Sequence, residues 1–166
     1  MSRKSLYAVV LIALLAVGFG VSGTISRAQN TGATRELLVT AKPVAAPGKL
    51  LELQRVTIAP HFRLPVHTHP GIQAAWISSG TLHYTIIHGE ALVTRAPVNG
   101  TPSPTETFTD GSETDLHPGD SVVETEGLIH YAENQTDEPI EIFISSLLTE
   151  GMPGTLDVDI MATPAG

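Results

Sequence analysis

Cysteine is absent from this chain of 166 residues. Disulfides, thiolate metal sites and cysteine nucleophiles are therefore excluded. Any metal must be held by imidazole, carboxylate, amide or water. Aromatic residues are scarce, at 5%, so aliphatic side chains must build most of a core. Beyond residue 28 no stretch sustains an apolar period of 3.6, the usual sign of an amphipathic helix. There is no GxSxG elbow and no Gly-rich loop leading into a helix, so no Ser-His-Asp site or phosphate loop can be named. Basic residues are few: 9 Lys and Arg stand against 17 Asp and Glu, for a formal net charge of −8. Such a balance argues against nucleic acid and anionic lipid surfaces as partners, and solubility is its simpler meaning.

Residues 1–28 differ in kind from the rest. Arg3 and Lys4 form a basic start, 6–21 is an uncharged run of 16 residues, and Ser26 and Ala28 put small residues at the −3 and −1 positions of a cleavage site. These are the three parts of a secretory signal. The run is also only slightly short of a membrane span of about 20 residues, so an uncleaved anchor at 6–21 is the alternative. Both place the folded part, 29–166, outside the cytoplasm, periplasmic or extracellular, with membrane contact only through an uncleaved leader. The leader holds three basic residues and no acid. Removing those charges from −8 leaves −11 on the remainder.

The remainder reads as a single all-β domain. Gly 15 and Pro 12 supply turns, and short runs of alternating or apolar character recur at close spacing, which suggests a sandwich or barrel. Strands are expected at 36–41, 49–58, 72–79, 81–88, 89–98, 121–124, a stretch after 127, and 140–148. Residues 78–80 are expected to turn a hairpin between 72–79 and 81–88. Residues 99–115 read mostly as a surface loop with a short strand at 106–109.

The chemistry concentrates in "VHTHPGIQAAWISSG". His67 and His69 are spaced i, i+2, so on a strand both point to one face. Two imidazoles on one face are a start for a divalent metal site, though a solvated HxH edge would look the same. The wider spacing adds to it. His69 is followed by three residues, Gln73, six residues and Gly80. Gly119 is followed by five residues, Thr125-Glu126-Gly127, two residues, His130, three residues and Asn134.

These spacings resemble the two motifs of the cupin superfamily, here at about 65–80 and 119–134. The chain looks like a small single-domain type-2 cupin of the quercetin-dioxygenase-like kind. Three positions depart from the pattern: His61 stands where the first motif opens on glycine, Gln73 replaces its glutamate, and Thr125 replaces the proline of the second. The resemblance implies a cupin jelly-roll β-barrel (double-stranded β-helix) with one divalent transition metal (Fe, Mn, Ni, Co, Cu or Zn) held by His67, His69, Gln73 and His130. Open positions would remain for water, dioxygen or a bidentate substrate. An amide at 73 removes one negative charge from the ligand set and cannot act as a general base. Tyr84, Tyr131, His83 or a bound hydroxide would have to take its place. The resemblance further implies a small-molecule ligand or substrate and a homodimer. Three functions stay open: an oxygenase of small aromatic or enolic molecules, a non-catalytic binding or sensing module, and an isomerase or lyase.

Other residues carry simpler readings. His88 and His117 read as solvated, Trp76 as pointing away from the metal, Phe143 as core, and Arg63 as a surface salt bridge. Asn134 should fix the turn after His130, and Glu124 and Glu126 read as exposed turn charges.

Overall fold

The computed structural model describes residues 32–160. The signal or anchor segment lies outside them. The twelve strands are β1 (Ala33–Ala41), β2 (Lys49–Ile58), β3 (His67–Thr68), β4 (Gly71–Ser79), β5 (Leu82–His88), β6 (Glu90–Thr94), β7 (Thr105–Thr109), β8 (Glu113–Leu116), β9 (Ser121–Glu124), β10 (Ile129–Glu133), β11 (Ile140–Thr149) and β12 (Leu156–Asp157). Among the described residues there is no helix. Two antiparallel sheets face each other as a jelly-roll barrel, in the orders β1-β2-β11-β4-β9-β6-β7 and β12-β3-β10-β5-β8.

Period-two patterning builds the layers. Along β4, Gly71, Gln73, Ala75 and Ile77 are buried while Ile72, Ala74 and Trp76 are exposed. Val56, Ile58, Ile77, Leu82, Leu116, Ile140 and Ile142 meet between the sheets in one aliphatic core. Each fully buried side chain of this size contributes about 1.5–3 kcal/mol, which compensates for the scarcity of aromatics.

The inward face changes character along the strands. Val56 and Ile58 on β2 give way to Gln54 and Glu52. Ile77 and Ala75 on β4 give way to Gln73, and three isoleucines on β11 give way to Ser146. Register aligns the polar ends, because Glu52 faces Ser146, Ser146 faces Gln73, and Gln73 faces Glu124. A polar rung thus crosses four strands at one end of the apolar core.

Three expectations are corrected. Residues 78–80 do not close a hairpin: β4 pairs with β11 and β9, whereas β5 pairs with β10 and β8. The chain changes sheets at Gly80, whose φ of 79° suits glycine. A Cβ there would lie 2.9 Å from Ile140 Cγ1. The stretch 99–115 is less of a loop than its composition suggests, since β7 pairs with β6, and β8 begins at Glu113 and pairs with β5. Phe143 is not core. It lies half-buried on the outer face of the large sheet, directly across from Trp76 with ring centroids 6.2 Å apart.

Two buried side chains fix turns at the apolar end of the barrel. Asp120 accepts from the Ala96 and His117 backbone N–H groups and from Arg95. Burial works against its charge, but these donors outweigh it and hold its pKa below the ordinary value. Asn134 is fully buried. It donates to the Ile58 and Glu138 carbonyls and accepts from the Thr136 N–H and hydroxyl, which secures the chain after β10 as expected.

Candidate metal centre

His67 on β3 and His130 on β10 are cross-strand partners in the small sheet. His69 follows β3 at once, just before Pro70. All three are buried. Their rings lie 4.3–5.4 Å apart by centroid, and one ring nitrogen from each falls within 4.8 Å of the others. The pair at 67 and 69 and the single histidine 61 residues after it therefore converge.

Hydrogen bonding fixes which nitrogen each ring presents. The Nδ1 of His67 lies 2.7 Å from the Pro65 carbonyl, and that of His69 lies 2.6 Å from the Gly154 carbonyl. A carbonyl oxygen only accepts, so both Nδ1 atoms carry a proton, and both rings turn Nε2 away from these carbonyls as the atom that holds a lone pair whenever the ring is neutral. Burial first, and the neighbouring His130 second, lower the His67 pKa to about 4. His67 is therefore neutral near pH 7, the form that binds metal.

Glu124 completes the cluster, and here the sequence reading is corrected. It is 7% exposed rather than a turn charge. Its carboxylate oxygens lie 3.3 Å from His69 Nε2 and 3.2 Å from His130 Nε2. Burial works to raise its pKa, but His130 and His69 together overcome this and hold it well below the usual value. A signal was present in "SVVE": Val122 and Glu124 alternate onto one face, and Val122 belongs in the core.

These contacts test whether the residues fit a metal ion. With Nδ1–H committed to Gly154, a His69 ring holding that proton alone would turn a lone pair toward the lone pairs of a carboxylate. Two acceptors at 3.3 Å require a positive charge between or on them, either a proton or a metal ion. Separations of 3.2–3.3 Å also match neighbouring donors around one ion with bonds of about 2.1 Å. His130 Nδ1 is buried without a hydrogen-bond partner. Nitrogen and oxygen donors of this kind suit first-row divalent ions, so the set fits.

Gln73 is buried on the inward face of β4 opposite Glu124. Its amide makes no hydrogen bond among the described residues. It lines a cavity of about 420 Å³ with Arg35, Glu52, Gln54, Gly154 and Thr155.

Of the groups considered as a base, Tyr84 reaches the site. Its ring stacks on His130 with centroids 5.1 Å apart, and its hydroxyl donates to Glu124 Oε1 at 3.1 Å. Burial, reinforced by Glu124, raises its pKa well above 10, so it stays protonated and donates. His83 alternates with Tyr84 onto the other face and bonds Asp115. Tyr131 lies under the Arg63 guanidinium at 3.7 Å, which also gives Arg63 a partner other than a surface carboxylate. His88 and His117 are exposed, as expected.

No protein-family model matches the chain, and no curated protein matches it. Solved structures do. A cupin 2 domain-containing protein from Halorhodospira halophila superposes with a TM-score of 0.52 at 14% identity, covering 82% of this chain and 77% of that one. KdgF from Halomonas sp. gives 0.48 at 16%, covering 74% and 84%. The DMSP lyase DddQ from Ruegeria pomeroyi DSS-3 gives 0.47 at 16%, covering 65% and 43%, so this chain spans less than half the length of that neighbour. The two-sheet barrel with its buried histidines is the fold of a small cupin.

Proposed function

We propose that the protein is a metal-dependent enzyme that holds one divalent transition ion on His67, His69 and His130 and oxidises a small aromatic or enolic molecule with dioxygen. The observation that carries this reading is the convergence of three buried imidazoles, two of them with Nδ1 held by backbone carbonyls so that Nε2 is left for an ion, beside a cavity. Glu124 and Gln73 flank the set as further oxygen donors. When bound, the ion supplies Lewis acidity and one-electron chemistry. The chain supplies the rest. The carbonyls of Pro65 and Gly154 orient two rings, Glu124 is the nearest proton acceptor, and Tyr84 holds a proton against Glu124. The barrel wall limits water.

Glu124 and Tyr84 also favour a second reading, an isomerase or lyase that moves protons without oxygen, because they restore the acid–base function that Gln73 cannot provide. Metal analysis after purification should find about one ion per chain, lost in His130→Ala, and oxygen uptake with a catechol or enol should follow the metal content. Turnover that persists anaerobically selects the second reading. Absence of both bound metal and metal-induced thermal stabilisation sinks both.

Export through residues 1–28 and homodimer formation belong to the same reading. A shallow apolar groove bordered by Leu51, Ile72, Val123 and Leu147 runs on the outer sheet face, and Trp76 is exposed nearby. Light scattering tests the dimer, and N-terminal sequencing of the exported protein tests cleavage.

A further inference from the structure

The cavity beside the metal centre is lined by an arginine that has no side-chain partner among the described residues. Arg35 sits on β1 directly opposite Val56. Val56 is buried in the core, and directly opposed residues share a face, so Arg35 belongs to the inward face although β1 is an exposed strand. Its neighbour Glu36 belongs to the outer face and bonds Arg55 there. Arg35 itself makes no hydrogen bond or ion pair among the described residues. Surrounding atoms desolvate its guanidinium and lower its pKa, against a favourable effect of Glu124. It remains charged. The residue as a whole is exposed to solvent, so the guanidinium on the cavity wall is open to an incoming anionic group.

The rest of the lining indicates what kind of ligand. The cavity measures about 420 Å³ and is lined by Arg35, Glu52, Gln54, Gln73, Gly154 and Thr155. Arg35 and Glu52 are not paired with each other. Glu52 Oε2 accepts from Gln54 Nε2 at 2.7 Å, which leaves Oε1 as an open acceptor. Gln73 and Gly154 belong at once to this cavity and to the metal centre. The first faces Glu124 across the sheet, and the carbonyl of the second holds the His69 ring. A molecule seated here is next to the histidines.

We propose that this cavity is a substrate subsite for a small carboxylate that also carries a hydroxyl or ammonium donor, with Arg35 taking the carboxylate and Glu52 the donor. A guanidinium offers two parallel N–H groups matched to a carboxylate, whereas Glu52 at the opposite polarity disfavours a simple polyanion. This assignment rests on the metal-dependent reading for the chemistry that follows binding, but the binding itself does not require it.

The test is calorimetric titration with three probes: mandelate, its neutral amide mandelamide, and phenylacetate, which lacks the hydroxyl. Wild type should bind mandelate at least tenfold more tightly than either control. Arg35→Gln should lose at least tenfold for mandelate with mandelamide unchanged, and Arg35→Lys should fall between, since an ammonium keeps the charge without the fork. Glu52→Gln should narrow the gap between mandelate and phenylacetate. Thermal unfolding confirms that each variant is folded. Each titration is run on metal-loaded and on EDTA-stripped protein. If the metal-dependent reading fails and the subsite stands, stripping has no effect while Arg35→Gln still weakens mandelate. If the subsite fails and the metal stands, stripping weakens mandelate while Arg35→Gln binds like wild type. That second result, or no mandelate binding by wild type, overturns the proposal.

Discussion

Gln73 on β4 and Glu124 on β9 are direct cross-strand partners, both buried on the face that looks into the barrel. Gln73 stands where the cupin motif carries its glutamate. One strand across, a carboxylate reaches 3.3 Å from His69 and 3.2 Å from His130. The negative charge missing from the first motif is therefore present at the site, delivered by the residue just before Thr125 of the second.

Reciprocal substitutions test that exchange. Glu124→Gln should weaken metal retention at least tenfold in a competition with a chelator. Gln73→Glu should lower the melting temperature of stripped protein, because like charges directly opposite each other repel, and should enlarge the rise on adding metal. If Glu124→Gln retains metal like wild type, Glu124 is not a ligand. If Gln73→Glu leaves the metal-induced rise unchanged, position 73 does not face the ion.

The stability of stripped protein should fall in acid with a definite sign. The His67 pKa is about 4 against an ordinary 6.5. Between these values the unfolded chain binds a proton that the native chain does not, so stability declines as pH drops from 6.5 toward 4, by up to roughly 3 kcal/mol. Glu124, held below its ordinary value, adds a loss that continues as pH falls below that window. Urea unfolding across this range measures the slope, and His67→Gln should flatten it between 6.5 and 4. An unchanged slope would assign the loss to other groups.

Tyr84→Phe removes only the hydroxyl that donates to Glu124 Oε1. The ring stays against His130, while a buried carboxylate loses a donor at a cost of about 1–3 kcal/mol. Unfolding free energy should drop by that amount with metal stoichiometry intact, and turnover should fall with an altered pH profile. No change in stability would mean that the hydroxyl does not support the carboxylate.

His61 occupies the slot of the first motif's opening glycine, and its φ is 54°. A side chain in this left-handed region is costly, and glycine is not. The ring's contact with Asp137 is between side chains 64% and 95% exposed, so it counts for little. His61→Gly should therefore raise stability by about 1 kcal/mol, or the melting temperature by roughly 3–5 °C. A lower melting temperature would show that the ring does more than its exposure suggests.

Much of this was legible along the chain. The strand at 49–58 has the bounds read from its alternation. His67, His69 and His130 could be assigned because an i, i+2 pair is a local property of a strand and the motif spacing links it to the third histidine. The outward direction of Trp76 followed from its alternation with Gln73 and Ile77. The hairpin at 78–80 was misread because a glycine turn looks the same whether the chain pairs back on itself or crosses to another sheet. Phe143 was misread because a long apolar strand does not announce which of its faces is covered.

The sequence by itself determined an all-β chain, since composition and period are written within short stretches, and its resemblance to the cupin motifs implied the histidine set and the loss of the motif glutamate. Tertiary structure alone decided that Glu124 replaces the missing charge, that Tyr84 rather than His83 or Tyr131 reaches the site, and that Arg35 faces the cavity. Each of these depends on register between strands far apart in sequence. A shift of one residue in pairing turns a side chain from the barrel to the solvent.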